Sequence, residues 1–355
     1  MTTTLQKTTL LSSPTPLVYG SGAGVGLGSG APDLNSLGHY YFSGRSDNFD
    51  PTLPSTNPQN GRLDPESIRV SNDGKSLFVS DEYGPYVYQF DRASGQRIRV
   101  FNLPANLDAA HLSAVGNTEI SGNTSGRTAN KGMEGLAITP DGKTLIGFMQ
   151  DRLIQDASKH LRIVTIDIAS GATKEYAYKL TSGSGVSDIV AINDHEFLVV
   201  ERDGKGLGDG SNAVVKQLFK IDLAGATDVS NIASLSSTTL ANSSLVSKSL
   251  LLDLVAKLAA NGITADQVPA KIEGLAFGED IIDNGTLFHT LVVANDNDFV
   301  PGVAGANKFF VFALSAADLA GYQPQQLTSV PVPAAVWLLG SGLLGMMGLN
   351  RRQRG

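Results

Sequence analysis

Four acidic residues, Glu66, Glu134, Asp188 and Glu273, each stand at the head of an apolar, strand-like run. Each run leads through a turn into a second run, and the second runs end on Asp81-Glu82, Gln150-Asp151, Glu201-Arg202 and Asn295-Asp296. Carboxylates with Asn and Gln amides beside them are hard oxygen donors, which suit Ca²⁺ better than zinc or copper. Gathered in one place, like charges roughly 5 Å apart repel by about 3 kcal/mol per pair at an effective dielectric near 20. Such a group requires cations, protons or arginines. The histidines, His39, His111, His160, His195 and His289, show no close metal-ligand spacing, so they do not point to zinc.

What must position these residues is a hairpin that recurs four times. Its first copy spans residues 61–92, with a strand through Ile68 and Val70, a turn at Asn72-Asp73-Gly74-Lys75, and a strand through Leu77, Phe78 and Val79. Period-two alternation around an Asp-Gly turn is a hairpin signal, not a helix signal. Further copies occupy residues 133–152, 187–203 and 271–298, so the chain is read as a repeated supersecondary unit. An all-β β-propeller accounts for this best, because radial repetition of small antiparallel sheets leaves few open edges. At roughly 40–50 residues per blade, residues 37–314 are expected to hold about six blades, the last closed by Tyr40 to Phe42. A helical insertion is expected near 244–261, where Leu250, Leu251, Leu254 and Leu258 fall on one stripe and Gly262 stops the helix. First strands of propeller blades line the channel, so the strand heads should meet as one acidic ring at its rim.

Composition bounds the alternatives. The 355 residues carry 27 basic and 34 acidic side chains, a net charge of −7, and no cysteine. No basic field exists to hold nucleic acid, and thiolate chemistry and disulfides are excluded. The run Gly20 to Gly28 lacks the spacing of a phosphate-cradling loop, and Gly74-Lys75-Ser76 and Gly142-Lys143-Thr144 lack the earlier glycine of a P-loop. No G-x-S-x-G elbow occurs, which weakens serine catalysis without removing it. The expected domains are an N-terminal Gly/Ser/Thr-rich flexible segment (1–35), the propeller (36–322), a linker (323–333) and a C-terminal tail (334–355).

The phrases DPESIRVS, SDEYGP, NKGMEGLAITPDGKTL, ERDGKG, KIEGLAFG and NDNDF resemble the phytase-like family described as having esterase-like activity. The resemblance implies a propeller related to calcium-dependent phytases and a hydrolase of ester or phosphoester bonds. On that reading Glu66, Asp81, Glu134, Asp188, Glu273, Asn295 and Asp296 hold Ca²⁺, while Arg45, Lys131 and Lys271 take up an anionic substrate. Glu82, Glu201 and Arg202 are the catalytic candidates, with the base open between Glu82 and Glu201. A noncatalytic calcium-stabilised propeller binding a matrix polymer or protein is the alternative, and a sugar-lactone hydrolase with one metal and few carboxylates is a third.

The tail joins Val330-Pro331-Val332-Pro333 to 16 uncharged residues (334–349) and the basic end Arg351-Arg352-Gln353-Arg354. As a helix the apolar part reaches roughly 24 Å, short of a ~30 Å hydrocarbon core. The order of parts resembles a PEP-CTERM sorting tail, which implies export, handling by exosortase-type machinery, a transient membrane hold and release to the envelope or outside. Residues 1–20 lack the apolar core of a signal peptide, a departure from that pattern which a start codon upstream of Met1 would explain.

Overall fold

Alternating apolar residues and Asp-Gly turns fold the chain into four four-stranded antiparallel sheets, as seen in a computed structural model that describes residues 4–20 and 30–328. Ahead of them, β1 (Ser12–Ser13) and β2 (Tyr40–Tyr41) form a two-stranded ribbon. Blade 1 is β3 (Pro65–Val70), β4 (Ser76–Asp81), β5 (Tyr86–Asp91) and β6 (Arg97–Asn102). Blade 2 is β7 (Met133–Ile138), β8 (Thr144–Met149), β9 (His160–Asp167) and β10 (Thr173–Lys179). Blade 3 is β11 (Gly185–Ala191), β12 (Glu196–Arg202), β13 (Lys216–Asp222) and β14 (Ser247–Asp253). Blade 4 is β15 (Ile272–Phe277), β16 (Ile281–Asp283), β17 (Thr286–Asn295) and β18 (Phe309–Ser315), with β17 central. Short helices α1 (Gly116–Gly122), α2 (Leu254–Ala259) and α3 (Pro301–Ala304) lie between or after strands.

The first strands line the axis as expected: β7 packs between β3 and β11, and β11 also packs against β15. The inter-blade cores are apolar. Phe78, Val87 and Phe101 of blade 1 meet Leu136, Leu145 and Val164 of blade 2. Phe148 and Ile163 meet Ile189 and Phe197 across the next interface, and Leu198 and Leu218 meet Leu291 and Phe312 across the third. Each such side chain contributes about 1.5–3 kcal/mol on burial.

The expectation of six blades is corrected to four. Length alone misleads because residues 43–64, 104–132, 203–215 and 223–246 run as loops, turns and short helices instead of forming further sheets. Tyr40–Tyr41 do not close the last blade; they pair with Ser12–Ser13. Nearby, Leu11, Phe42 and Leu63 cover the face of blade 1 turned away from blade 2. The helical insertion is also corrected, because residues 247–253 are the edge strand β14, where the free edge of β13 offers a full ladder. Apart from a 3-10 turn at Asn242–Ser244, only the six residues of α2 are helical, capped by the Asp253 side chain and seated by buried Leu254 and Leu258.

Turn chemistry is the same in blades 1 and 2. Ser71 and Thr139 hydroxyls donate to Asp73 and Asp141 at 2.6 and 2.7 Å, and Gly74 and Gly142 take φ of 68° and 74°. The apparent P-loop endings are thus hairpin turns, where only glycine relaxes into the left-handed region. At the end of the channel near these turns a strap of residues 319–328 crosses the blades. Gln323 N donates to Ile192 O (2.8 Å), Gln326 N to Pro140 O (3.0 Å) and Thr328 N to Asn72 O (2.7 Å). Most of the glycine run, and all of the 334–355 tail, lie outside the described residues. Among the described residues no helix is long and apolar enough to cross a membrane.

Candidate active site at the channel mouth

The channel-side hairpins of the four blades share one register. Pro65 faces Asp81, Met133 faces Met149, Val186 faces Glu201 and Ile272 faces Asn295, and directly after each pair the ladder slips. A bulge of this kind re-aims side chains at a rim. The residues that follow on the first strands are Glu66, Glu134, Ser187 and Glu273; those that follow on the second strands are Glu82, Gln150, Arg202 and Asp296. All except Ser187 line a cavity of about 530 Å³ at the channel mouth.

Three carboxylates come closest together. Ligand oxygens of Asp64, Glu66 and Glu82 lie within 4.8 Å of one another. Burial, reinforced by the Glu134 carboxylate, pushes Glu66 and Glu82 up to about 9. Burial also raises Asp64 and Glu273. Glu134 is only 3% exposed. Burial lifts it to about 7 although Arg202 pulls the other way, and Gln150 Nε2 donates to its Oε1 at 2.8 Å. Its Oε2 is buried with no hydrogen-bond partner. Carboxylates held this far above their ordinary range are an oxygen-donor set that a hard divalent cation fits.

Blade 3 supplies the opposite charge. Where the other blades carry Glu82, Gln150 and Asp296, it carries Arg202, whose Nη2 donates to Glu273 and, at 3.5 Å, to Glu134. Its Nε is buried without a partner. Lys131 and Lys271 reach the rim and pair with Asp151 (3.4 Å) and Asp298 (2.6 Å). Burial pulls Lys271 down, but Asp298 and Glu273 outweigh it and hold its ammonium above the ordinary range.

Five expected site residues lie elsewhere. Asp188 sits one residue past the register of Glu134, so it turns into the channel interior and joins Arg69 Nη2 (2.9 Å) and the Leu275 amide (2.8 Å). Asp81 accepts the amides of Asp64 (2.9 Å) and Gly84 (3.1 Å) and shapes the turn beneath Glu82. Glu201, 0% exposed, is held by the Tyr178 hydroxyl, Lys248 and the Thr181 and Ser182 amides. It faces away from the cavity and is no base for it. Asn295 accepts the Lys308 amide at 2.7 Å, and Arg45 pairs with Asp47 in the N-terminal loop. In each pair Asp81-Glu82, Glu201-Arg202 and Asn295-Asp296 only the second residue faces the cavity, because alternation turns neighbours to opposite sides.

The sequence reading missed Asp64, Asn130 and Phe299, all on the cavity wall. Asp64 was within reach: it lies two residues before Glu66, on the same side of an extended chain.

The sequence matches the family "Phytase-like: Esterase-like activity of phytase" over residues 9–299. An uncharacterized secreted protein of Arthroderma benhamiae is 27% identical over 320 residues, covering 72% of this chain and 62% of the relative. The chain thus spans under two thirds of that relative's length. Among solved structures, the β-propeller domain of Myceliophteria thermophila Cps50 (Swd1) superposes with a TM-score of 0.30 at 11% identity, covering 66% of this chain and 52% of that one. Kuenenia stuttgartiensis hydrazine synthase gives 0.32 at 16% identity, covering 69% and 68%. Such superpositions do not bear on chemistry. The match over residues 9–299 does bear on family: the chain belongs to the phytase-like family described by esterase-like activity of phytase.

Proposed function

We propose that the protein is an exported, calcium-dependent hydrolase of ester or phosphoester bonds, working in the mouth cavity. The observation that carries this reading is the closeness of Asp64, Glu66 and Glu82, with ligand oxygens within 4.8 Å, beside the unpartnered Oε2 of Glu134. Asp64, Glu66 and Glu82 would hold Ca²⁺, with Glu134, Glu273 and Asp296 adding negative charge around it. When bound, the ion supplies Lewis-acid polarisation of a phosphoryl or acyl oxygen. Glu134, lifted to about 7, is poised to take a proton from water at its Oε2 and return it to the leaving oxygen. Arg202, fixed on the cavity wall by Glu134 and Glu273, would offset charge developing on the substrate. Lys131 and Lys271 at the rim attract an anionic substrate and are shared with Asp151 and Asp298.

Export is supported by the likeness to an Arthroderma benhamiae protein described as secreted and by the PEP-CTERM-type order of the tail. On this reading exosortase-type machinery handles the tail and a membrane holds it briefly.

The test is turnover of p-nitrophenyl phosphate, p-nitrophenyl acetate and phytate by the full chain, with calcium and after chelation. Turnover that chelation abolishes and calcium restores is the expected result. Turnover unaffected by chelation sinks the metal assignment. Calcium-dependent stabilisation with none of the three substrates cleaved reassigns the chain to a noncatalytic binding propeller.

A further inference from the structure

The charge of the cavity and one aromatic residue on its lip bear on what kind of ester enters. Seven carboxylates and three cations line the cavity, a formal balance of four negative charges when every carboxylate is ionised. Each cation already has a carboxylate partner, since Arg202 is bound to Glu273, Lys131 to Asp151 and Lys271 to Asp298. One divalent cation halves the imbalance and leaves the wall negative. A polyanion meets net repulsion there, in a concave site whose walls focus the field.

Phe299 stands on this wall and is 97% exposed. Its side chain packs on nothing, but the backbone that carries it is held in place. Asp298 and Phe299 both take left-handed backbone, with φ of 52° and 56°, which non-glycine residues rarely hold unless the surroundings enforce it. Here the enforcement is visible: Asp298 N donates to Asp296 Oδ1 (3.0 Å), Phe299 N to Asn297 Oδ1 (3.2 Å), and Asn297 Nδ2 to Gly305 O (2.9 Å). Val300 and Val303 next to it are 48% and 63% exposed. An apolar lip is thus fixed beside a negatively charged pocket.

We infer that the cavity selects esters of low charge whose non-reacting part is apolar, with Phe299 as the platform for that part, and that it discriminates against polyanions such as phytate. This rests on the hydrolase reading for the word ester, but the recognition itself is independent of turnover. An aromatic face offers large contact area at little rotamer cost, while the cavity wall receives only the compact anionic or carbonyl end.

The experiment therefore reads binding. Phenylphosphonate, methylphosphonate and phytate are titrated calorimetrically into the calcium-loaded full chain and into Phe299→Ala, whose side chain packs on nothing and whose melting curve is recorded to confirm the fold. The expected result is phenylphosphonate bound about tenfold or more tighter than methylphosphonate, a preference lost in Phe299→Ala and restored in Phe299→Leu, with phytate no tighter than methylphosphonate. Phytate bound tightest, equal affinity for the two phosphonates, binding of none of the three, or a preference that survives Phe299→Ala overturns the inference. The apolar preference found together with no turnover of any ester sinks the hydrolase reading and supports this one; ester turnover without the preference does the reverse.

Discussion

Gln150 donates its side-chain amide to Oε1 of Glu134 at 2.8 Å, and Oε2 of the same carboxylate is buried with nothing to bind. One oxygen is thereby fixed and the other left without a partner. Glu134→Gln preserves shape but cannot accept a proton. Turnover is expected to fall by about 100-fold or more, while the melting temperature without calcium stays the same or rises, since one buried charge is gone. Steady-state kinetics and a thermal melt on one preparation check both halves. Unchanged turnover removes Glu134 from the chemistry.

The buried acids set the pH response, and its sign follows from their shifts. Glu66 and Glu82 titrate at about 9 in the folded chain, against roughly 4.3 when unfolded. Across that window the native state binds more protons than the unfolded state, so without calcium stability is greatest below the lower value and declines as pH rises toward 9. Calcium needs the ionised carboxylates, so its stabilisation runs the other way. The rise in melting temperature on adding calcium is expected to be small at pH 5 and large at pH 8.5. Equal rises at the two pH values contradict the assignment.

The repeat, the propeller architecture and the gathering of strand heads were legible because hairpin turns and period-two alternation are local signals. Blade number was not, since a loop such as 104–132 and a blade of similar length differ only in whether a partner strand exists. The inward or outward sense of single residues was harder still. Aligning Asp188 with Glu134 is an error of one residue, and in a strand one residue is the difference between the two faces. Ser187 is the true counterpart; its hydroxyl donates to Ile272 O at 2.6 Å. Likewise Glu201 and Arg202 are neighbours in sequence, yet one is closed in against Tyr178 and Lys248 while the other reaches Glu273.

That contrast predicts two different phenotypes. Glu201→Gln leaves the Lys248 ammonium without its counter-ion in a half-buried place, at a cost of about 3 kcal/mol. Denaturant unfolding should show that loss, with calcium affinity unchanged because no cavity atom has moved. Arg202→Gln should do the opposite, costing little stability beyond the loss of the Glu273 contact but weakening turnover, because it removes the guanidinium held between Glu134 and Glu273. A Glu201→Gln protein with native stability and lost activity would restore that residue to the catalytic set.

The strap crosses the opposite end of the channel from the acidic mouth and carries a prediction of its own. Among the described residues no buried apolar cluster joins blade 4 to blade 1, whereas the strap touches all four blades. Tyr322 packs on Phe277 and His289 of blade 4 with ring centroids 4.6 and 4.5 Å apart. Gln325 Nε2 donates at 2.8 Å to both Val70 O and Asn72 Oδ1 of blade 1. Buried Leu319 anchors its start in the core shared by blades 3 and 4. A chain ending after Thr328 keeps every one of these contacts and should melt within about 2 °C of the full chain. A chain ending after Gly321 loses the tilted ring contacts of Tyr322 and the bonds to Val70, Asn72, Pro140 and Ile192. If those are worth about 2 kcal/mol or more together, the melting temperature falls by roughly 3 °C or more at this size. Because the mouth is built at the other ends of β3, β7, β11 and β15, the calcium-induced shift should persist in the shorter chain; its disappearance would mean that ring closure, and not local register, holds Asp64, Glu66 and Glu82 together.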